Sequence, residues 1–281
     1  MITKDELVGY MRAAFARSGF WRSLQLWLQF GVALAAGLAV FVSADVPTYY
    51  LALGGVALLA AWVWADASAS GHRDAAEAAR RALILWDGLG QQPSAAALFD
   101  LRQSFKANAA AAKALEDPNY YASSYPPGPR RLAEIIEESA FWSGDLQRQS
   151  AVFMGLAFGG MTVLLVGAAL IVLPLAPNTL LLTLARLFLV FLVFVLSSDV
   201  WGTCFGHFSG ARAIGAIGAR LRAAGLAGFP EADVFLAASN YNAAVERAPM
   251  QVPITYRFNK KRLNELWIAY KEARLAERSS S

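Results

Sequence analysis

The stretch AVFMGLAFGGMTVLLVGAALIVLPLAPNTLLLTLARLFLVFLVFVL, residues 151–196, decides the fold expected of this chain. It consists of two long apolar runs separated by a turn at 174–178, and Arg186 is the only charged residue in it. A helix of about 20 apolar residues matches the ~30 Å hydrocarbon core of a bilayer. Because a helix satisfies its own backbone hydrogen bonds in lipid, both runs are predicted to span a membrane. The alternative is a buried helical pair in a soluble domain, but uncharged core helices rarely run this long.

The composition also indicates a membrane protein. Hydrophobic residues make up 57% of the 281-residue chain and charged residues 16%, against roughly 45–50% and about 25% in soluble domains. The net charge of +4 fits the bias of cytoplasmic loops toward Lys and Arg as well as it fits a nucleic-acid partner. The single cysteine, Cys204, excludes an internal disulfide framework and a cysteine-built zinc site. With His72 and His207 as the two histidines, we expect no metal and no cofactor.

An earlier pair of apolar runs, residues 24–43 and 49–65, is predicted to form the first and second spans. Gln25 and Gln29 lie on one face of the first run and are either interhelical hydrogen-bonding residues or pore-mouth residues. The expected fold class is therefore an all-α membrane protein, with four transmembrane helices in two hairpins and a helical cytoplasmic domain.

The positions of the charges predict the orientation. Neither hairpin turn contains Lys or Arg, and every basic residue except Arg186 falls in the N-terminal, middle or C-terminal segment. By the positive-inside rule, these three segments and both termini are expected to be cytoplasmic. The predicted divisions are an N-terminal amphipathic segment, a first hairpin, a cytoplasmic helical segment, a second hairpin and a C-terminal cytoplasmic helical segment, at residues 1–23, 24–65, 66–150, 151–196 and 197–281.

The N-terminal segment is predicted to be a helix that starts at a capping box, Thr3 to Glu6. Its apolar residues, among them Leu7, Val8 and Met11, alternate with basic ones. Two interpretations stay open. The helix either lies on the inner membrane surface or packs on the protein's own soluble part.

The middle segment begins with a predicted continuation of the second span. Residues 74–86 carry Ala, Leu and Ile at helical spacing, with Arg80 and Arg81 expected to point outward. Gly and Pro at 88–93 are expected to end that helix. A second helix is predicted over residues 94–115, capped by the first of them.

A Pro- and Gly-rich stretch, residues 117–129, interrupts regular structure before a further helix that starts at Arg130. An arginine pair at a helix N-terminus, Arg130 and Arg131, suits a phosphate-bearing ligand. The competing explanation is local pairing with Glu134 or Asp117.

Arg186 is the most informative residue inside the predicted spans, because it is the only charged one between residues 151 and 196. A cation there is costly and usually faces protein or water. It either extends its side chain to the outer interface or lines a water-filled path, where a ring of arginines would favour anions. Phe188, Phe191 and Phe194 recur every three residues and form either a hydrophobic gate or a lipid-contact and packing surface.

No catalytic signature is present: the chain lacks a G-x-S-x-G elbow, an H-E-x-x-H helix and a P-loop. The chain is therefore expected not to be an enzyme. Gly155 and Gly159 form a G-x-x-x-G pattern inside the third run, which is typical of close helix packing.

A basic cluster near the C-terminus could hold phosphate groups. Arg257, Lys260, Lys261 and Arg262 are interleaved with the aromatic residues Tyr256, Phe258 and Trp267. Cations hold phosphates while aromatic faces stack bases. Anionic lipid heads and a simple solvated helix face are the other interpretations.

Three stretches carry a resemblance to a known family. They are Tyr120-Tyr121 with Pro127-Gly-Pro-Arg-Arg-Leu132, Glu138-Ser-Ala-Phe-Trp142 before the third run, and Asn259-Lys-Lys-Arg-Leu-Asn-Glu-Leu-Trp267 near the end. Together with two hairpins and otherwise cytoplasmic segments, they resemble the four-transmembrane, SLATT-like (SMODS-associated) membrane effectors of bacterial antiphage systems such as CBASS and Hailong.

This resemblance implies an oligomeric channel or pore-forming effector in the bacterial inner membrane, with both termini cytoplasmic. A cyclic or linear oligonucleotide messenger from a cGAS-like nucleotidyltransferase would gate it from the cytoplasmic side. The expected partners are thus the lipid bilayer, further copies of the chain and that messenger, but no long duplex nucleic acid. Messenger binding is predicted at Tyr120, Tyr121, Arg130, Arg131, Arg257, Lys260, Lys261 and Arg262, and the pore or gate at Arg186, Phe191 and Phe194.

A second function class stays open: a non-catalytic membrane scaffold or adaptor that recruits a cytoplasmic partner through residues 94–150. A transporter is a weaker third class, because none of the four apolar runs has a carboxylate in its middle.

Overall fold

The computed structural model describes residues 2–39, 45–106, 108–172, 182, 183, 185, 187, 188 and 200–280. Its helices are α1 (Lys4–Ala39), α2 (Asp45–Leu89), α3 (Ala95–Ser104), α4 (Ala109–Lys113), α5 (Pro129–Val172), α6 (Val200–Leu226), α7 (Glu231–Arg247) and α8 (Pro253–Ser280). No strand occurs in the part of the chain that the structure describes. The all-α part of the predicted fold class is therefore confirmed.

Several helix ends follow the signals in the sequence. The backbone N of Thr3 donates to the carboxylate of Glu6 at 2.7 Å, and the backbone N of Glu6 donates to Oγ1 of Thr3 at 3.2 Å, so the predicted capping box is formed. Helix α2 runs unbroken to Leu89, and Gly90 follows with a φ of 70° that favours glycine. Helix α5 starts at Pro129, one residue before the predicted start, because proline suits the first helical position.

The single helix predicted over residues 94–115 is wrong, because α3 and α4 occupy this stretch separately. The predicted cap itself is present: Oγ of Ser94 accepts a hydrogen bond from the backbone N of Ala97 at 3.2 Å.

The break between α3 and α4 is caused by one buried aromatic side chain and a second cap. Phe105 adopts an extended backbone and stacks on Tyr10 at a centroid distance of 5.2 Å. The side chain of Asn108 then accepts from the backbone N of Ala110 at 2.9 Å and starts α4. Burial of the ring and the new cap outweigh the tendency of this stretch to continue as one helix.

The chain forms two compact units. Unit 1 consists of Met1–Gly19, Ser70–Ser150 and Gly206–Ser281, and unit 2 consists of Phe20–Ala69 and Ala151–Phe205.

The first core of unit 1 contains the apolar face of the N-terminal helix. Leu7 and Met11 are fully buried and Val8 is nearly so, and they pack with Ala76 and Leu83 of α2. Of the two interpretations of this helix, packing on the protein itself is therefore the correct one for these three residues. A position on the membrane surface is wrong for them, because their side chains are already covered by protein.

The second core of unit 1 brings α2, α5, α6 and α7 together around Ile84, Leu132, Ile136, Leu221 and Tyr241. Because α2 contributes to both cores, it is buried on more than one face. The prediction that Arg80 points outward is therefore wrong: the residue is 8% exposed. Arg81 does lie on the exposed side, as predicted.

In unit 2, one predicted polar contact between helices is present. The side-chain amide of Gln25 is 2% exposed and donates to Oδ1 of Asp66 at 2.8 Å, so Gln25 is an interhelical hydrogen-bonding residue.

Unit 2 otherwise exposes its large apolar side chains. Trp27 is 72% exposed, Leu156 73% and Val163 71%. Among the described residues, one helix is long and apolar enough to cross a membrane: Val46–Leu89, whose best window has a mean hydropathy of 1.6 and no buried residue. An association with the membrane through this helix is the part of the localisation that the structure supports directly.

Candidate functional site

The tyrosine-rich loop at residues 117–128 leads into α5 and carries the first half of the predicted ligand site. The backbone N of Ala122 donates to the carboxylate of Glu138 at 3.1 Å, and Oγ of Ser123 donates to the carboxylate of Glu134 at 2.9 Å. The backbone N of Gly128 donates to the carbonyl of Gly88 at 2.8 Å. The loop is thus held on α5 and on the end of α2 by its own backbone and side chains.

Arg131 is held by internal partners. Its Nη2 donates to Oδ2 of Asp87 at 2.7 Å, its Nε to the carbonyl of Asp87 at 2.9 Å, and its Nη1 to the carbonyl of Tyr125 at 2.6 Å. Glu134 and Asp117, the local partners expected from the sequence, do not take part in these contacts. Asp117 instead lies 3.7 Å from Arg12.

Asp87 connects Arg131 to the N-terminal helix. Lys4 Nζ donates to its Oδ1 at 2.5 Å, and the Asp87 side chain is only 7% exposed. Burial by itself would raise the pKa of Asp87, but the hydrogen bonds and charges of Lys4 and Arg131 outweigh it, so the pKa lies below its usual value. Asp87 therefore carries its negative charge as the shared acceptor of two cations.

Arg130 is more exposed than Arg131. Its guanidinium carbon lies 3.6 Å from the ring centroid of Tyr125, whose hydroxyl accepts a hydrogen bond from it. Its Nε is 3.9 Å from Oε1 of Glu134, which is the predicted local pairing. With 46% of its side chain exposed, Arg130 can still reach a ligand at the surface.

Tyr120 and Tyr121 form a T-shaped pair with a ring-centroid distance of 4.8 Å. Tyr121 packs against both cores of unit 1. Desolvation raises the pKa of the Tyr121 phenol well above its usual value. Both phenols are protonated at neutral pH and can donate a hydrogen bond to an anion.

Behind these tyrosines lies a buried polar group on α2. Nε of Arg80 donates to Oε2 of Glu77 at 2.6 Å, and its guanidinium carbon lies 5.1 Å from the ring centroid of Tyr241. Tyr241 is buried and shares a hydrogen bond of 3.1 Å with Oγ of Ser143. We name Glu77, Arg80, Tyr121 and Tyr241 the arginine–tyrosine cluster.

The C-terminal basic residues have a different environment. Nη2 of Arg262 lies 2.5 Å from Oδ2 of Asp145, Lys260 and Lys261 are exposed, and the side chain of Arg257 lies outside the described residues. Trp267 stacks on Tyr270 at 5.5 Å, and both rings contact Phe141.

The two predicted halves of the ligand site lie at separate positions along α5. Asp145, which Arg262 contacts, lies 14 residues after Arg131 in that helix. This separation is about 21 Å at 1.5 Å per residue. The structure therefore gives two separate clusters of cations and aromatic rings.

The predicted pore residues Arg186, Phe191 and Phe194 lie outside the described residues, and Phe188 is 38% exposed. Of the two packing glycines, Gly155 faces α6: a Cβ placed on it would lie 3.8 Å from Sγ of Cys204. A Cβ on Gly159 would meet no atom of the described residues within 4 Å.

Comparison of the chain with protein-family models, with curated proteins and with solved structures found no match.

The sequence interpretation missed Glu77, Arg80, Asp87 and Tyr241. The available signal was the alanine content of α2: Ala75, Ala76 and Ala79 are all buried. Small residues let neighbouring helices approach from more than one side. Charged residues on such a helix are therefore candidates for buried pairs rather than for a solvated face.

Proposed function

We propose that the protein is a multi-pass membrane effector that forms an oligomeric channel or pore and responds to a phosphate-bearing ligand on unit 1. In this proposal the four apolar runs, residues 24–43, 49–65, 151–175 and 179–196, all span the bilayer. Unit 1 and both termini are then cytoplasmic. The observation that carries the proposal is the exposed apolar surface of unit 2.

The exposed apolar surface of unit 2 must be buried against something other than water. Exposed large apolar side chains occur along the parts of α1, α2 and α5 that belong to unit 2, and include Trp27, Phe30, Leu53, Val56, Leu156 and Val163. Residues 24–39, 46–65 and 151–172 contain no charged side chain. A soluble monomer rarely exposes a continuous apolar surface larger than a few hundred Å². Lipid tails, together with other copies of the chain, are the cover that fits this chemistry.

Aromatic side chains support the position of one interface. Trp21 and Trp64 form a T-shaped pair at 4.7 Å, at the end of the second apolar run. Trp and Tyr are enriched at the level of the lipid headgroups. The basic residues Arg17 and Arg22, which flank Trp21 in the sequence, fit the cytoplasmic side of the same interface.

A pore requires several copies, because four helices are too few to enclose a wide aqueous path. Gly159, which has no described residue against it, supports a contact between copies, since glycine lets another helix approach closely. The resemblance to SLATT-like effectors supplies the expected ligand, an oligonucleotide messenger that binds on unit 1.

Ion flux tests this function directly. The purified chain in liposomes should release a trapped ion, and the addition of a cyclic oligonucleotide should change the rate. Liposomes containing the chain with Gly159→Leu serve as a matched control for assembly. If neither condition gives flux above protein-free liposomes, the channel proposal fails and a non-catalytic membrane adaptor replaces it.

A further inference from the structure

Arg80 has more hydrogen-bond donors than the described structure satisfies. Its Nε donates to Glu77, but Nη1 and Nη2 are both buried and have no hydrogen-bond partner among the described residues. Each of these nitrogens carries two N–H groups in a rigid planar fork. A buried donor without an acceptor costs stability, and a buried charge is normally paired.

The charge around Arg80 is unbalanced as well. Among the described residues, Glu77 is the one carboxylate within ion-pair distance of Arg80, at 2.6 Å, and it also lies 4.0 Å from Nε of Arg73. Arg73 directs its Nη2 at the carbonyls of Val245 and Ala248, which carry no net charge.

Two other acidic residues near this part of α2 have cationic partners of their own, and Asp74 is exposed to solvent. Asp87 binds Lys4 and Arg131, and Glu246 binds Arg81. Among the described residues, one buried carboxylate thus lies within ion-pair distance of two guanidinium groups, and the buried Arg80 has no second carboxylate partner.

From this geometry we propose that the arginine–tyrosine cluster is an anion site, in which Nη1 and Nη2 of Arg80 bind two oxygens of a phosphate group. Buried water could satisfy the donors but would leave the charge uncompensated. A phosphate oxygen pair matches the fork of a guanidinium and supplies negative charge at the same time.

The two tyrosines of the cluster add ligand chemistry that a bare cation would lack. The ring of Tyr241 lies against the guanidinium of Arg80, and Tyr121, whose phenol is protonated at neutral pH, packs against the core that contains Tyr241. Tyr121 can therefore donate to the bound anion, and the neighbouring exposed ring of Tyr120 can stack on a base attached to it. The ligand class is a phosphate ester with an aromatic base.

The ligand enters where the tyrosine-rich loop covers the cluster. The bonds that hold this loop on α5, Ala122 to Glu138 and Ser123 to Glu134, are a backbone–carboxylate and a hydroxyl–carboxylate contact. Both can be exchanged for water when the loop moves. In taking the ligand to be the messenger that controls the pore, this inference rests on the proposed function. The anion site itself does not depend on it.

Anion-dependent thermal unfolding of the full-length protein in detergent tests the site. Inorganic phosphate should raise the melting temperature above that measured in chloride of equal ionic strength, and adenosine monophosphate should do so at lower concentration. Arg80→Lys keeps the charge next to Glu77 but removes the fork, so phosphate should bind at least about tenfold more weakly. Arg81→Lys is the matched control, and its phosphate response should equal that of the wild type.

Two outcomes overturn the proposal: no phosphate-specific shift in the wild type, or a shift that Arg80→Lys retains. If Arg80→Lys does not fold, the double variant Glu77→Gln/Arg80→Met removes both partners of the pair together and takes its place. A phosphate response without any response to adenosine monophosphate overturns the assignment to a nucleotide. Phosphate binding at Arg80 without liposome flux refutes the channel and keeps the site, whereas flux without phosphate binding refutes the site alone.

Discussion

The guanidinium of Arg131 and the carboxylate of Asp87 are joined at 2.7 Å between residues that lie 44 positions apart in the sequence. This contact fixes the start of α5 against the end of α2. It also changes how Arg131 should be tested. Reversing Arg131 to Glu would set two carboxylates against each other, so a lost ligand response could reflect lost folding. Arg130→Glu is the cleaner substitution for testing the exposed arginine.

Asp87→Asn should destabilise unit 1 by about 3 kcal/mol, because it leaves the largely buried guanidinium of Arg131 without its balancing charge and also removes the partner of Lys4. The measurement is chemical denaturation in detergent, followed by tryptophan fluorescence. Asp100→Asn, at an exposed position of α3, should leave the midpoint unchanged.

The pH dependence gives an independent check on Asp87. Its pKa is lowered in the folded protein, so its contribution is present above the unfolded value of about 3.9. The contribution disappears as the pH falls through the folded value. If Asp87→Asn lowered the free energy of unfolding by the same amount above and below that pH range, this account would be contradicted.

Glu138→Gln should stabilise the protein at neutral pH. Burial raises the pKa of Glu138, even though the backbone N of Ala122 donates to it. A raised folded pKa means that the carboxyl group favours folding below the unfolded pKa of about 4.3 and loses this contribution as the pH rises through the folded pKa. Glutamine keeps an acceptor for Ala122 and is neutral at every pH.

We therefore expect Glu138→Gln to raise the melting temperature at pH 7 by roughly 2 °C. The difference from the wild type should vanish or reverse near pH 4. Melting curves at several pH values measure this, with Glu272→Gln on the exposed side of α8 as the control. A difference that stays constant across the range would mean that the carboxyl group is not involved.

The two glycines of the third apolar run should differ in their effects. Leucine at Gly155 meets Cys204 of the same chain, whereas leucine at Gly159 meets no atom of the described residues. Gly159→Leu should therefore reduce the particle to a smaller assembly in detergent, while Gly155→Leu should mainly lower thermal stability. Light scattering coupled to gel filtration measures both. An unchanged particle mass for Gly159→Leu would exclude this face from contacts between copies.

Reporter fusions test the orientation. The hairpin turns carry no Lys or Arg, so fusions at Pro47 and Pro177 should report the outside of the membrane. Fusions at Gln92 and at the C-terminus should report the cytoplasm. A signal from outside at Gln92 would overturn the four-span topology.

Local signals in the sequence predicted local structure well. Thr3 with Glu6, and Ser94, identified the starts of α1 and α3 because a cap involves residues only a few positions apart. The break at Phe105 escaped prediction because its cause, the stacking on Tyr10, joins residues far apart in the chain. Non-local burial of one ring outweighed a run of alanines.

The candidate site was predictable only in part, for the same reason. The tyrosine-rich loop stood out by composition, but the pairing of Arg131 with Asp87 could not be derived without the fold. Arg80 was predicted to point outward together with Arg81, from the helical spacing of Ala, Leu and Ile over residues 74–86. On a helix, adjacent residues point about 100° apart, and here one is buried while the other is exposed.

The division of unit 1 among three separate segments has a consequence for biogenesis. Arg73 of α2 donates to carbonyls at the end of α7, more than 170 residues later, and Ser18 contacts Met250. These contacts form only after the ribosome has made almost the whole chain, including both apolar hairpins. In the proposed four-span topology, membrane insertion precedes completion of unit 1, and a nascent chain of about 205 residues would present the unfinished cores of unit 1 to chaperones.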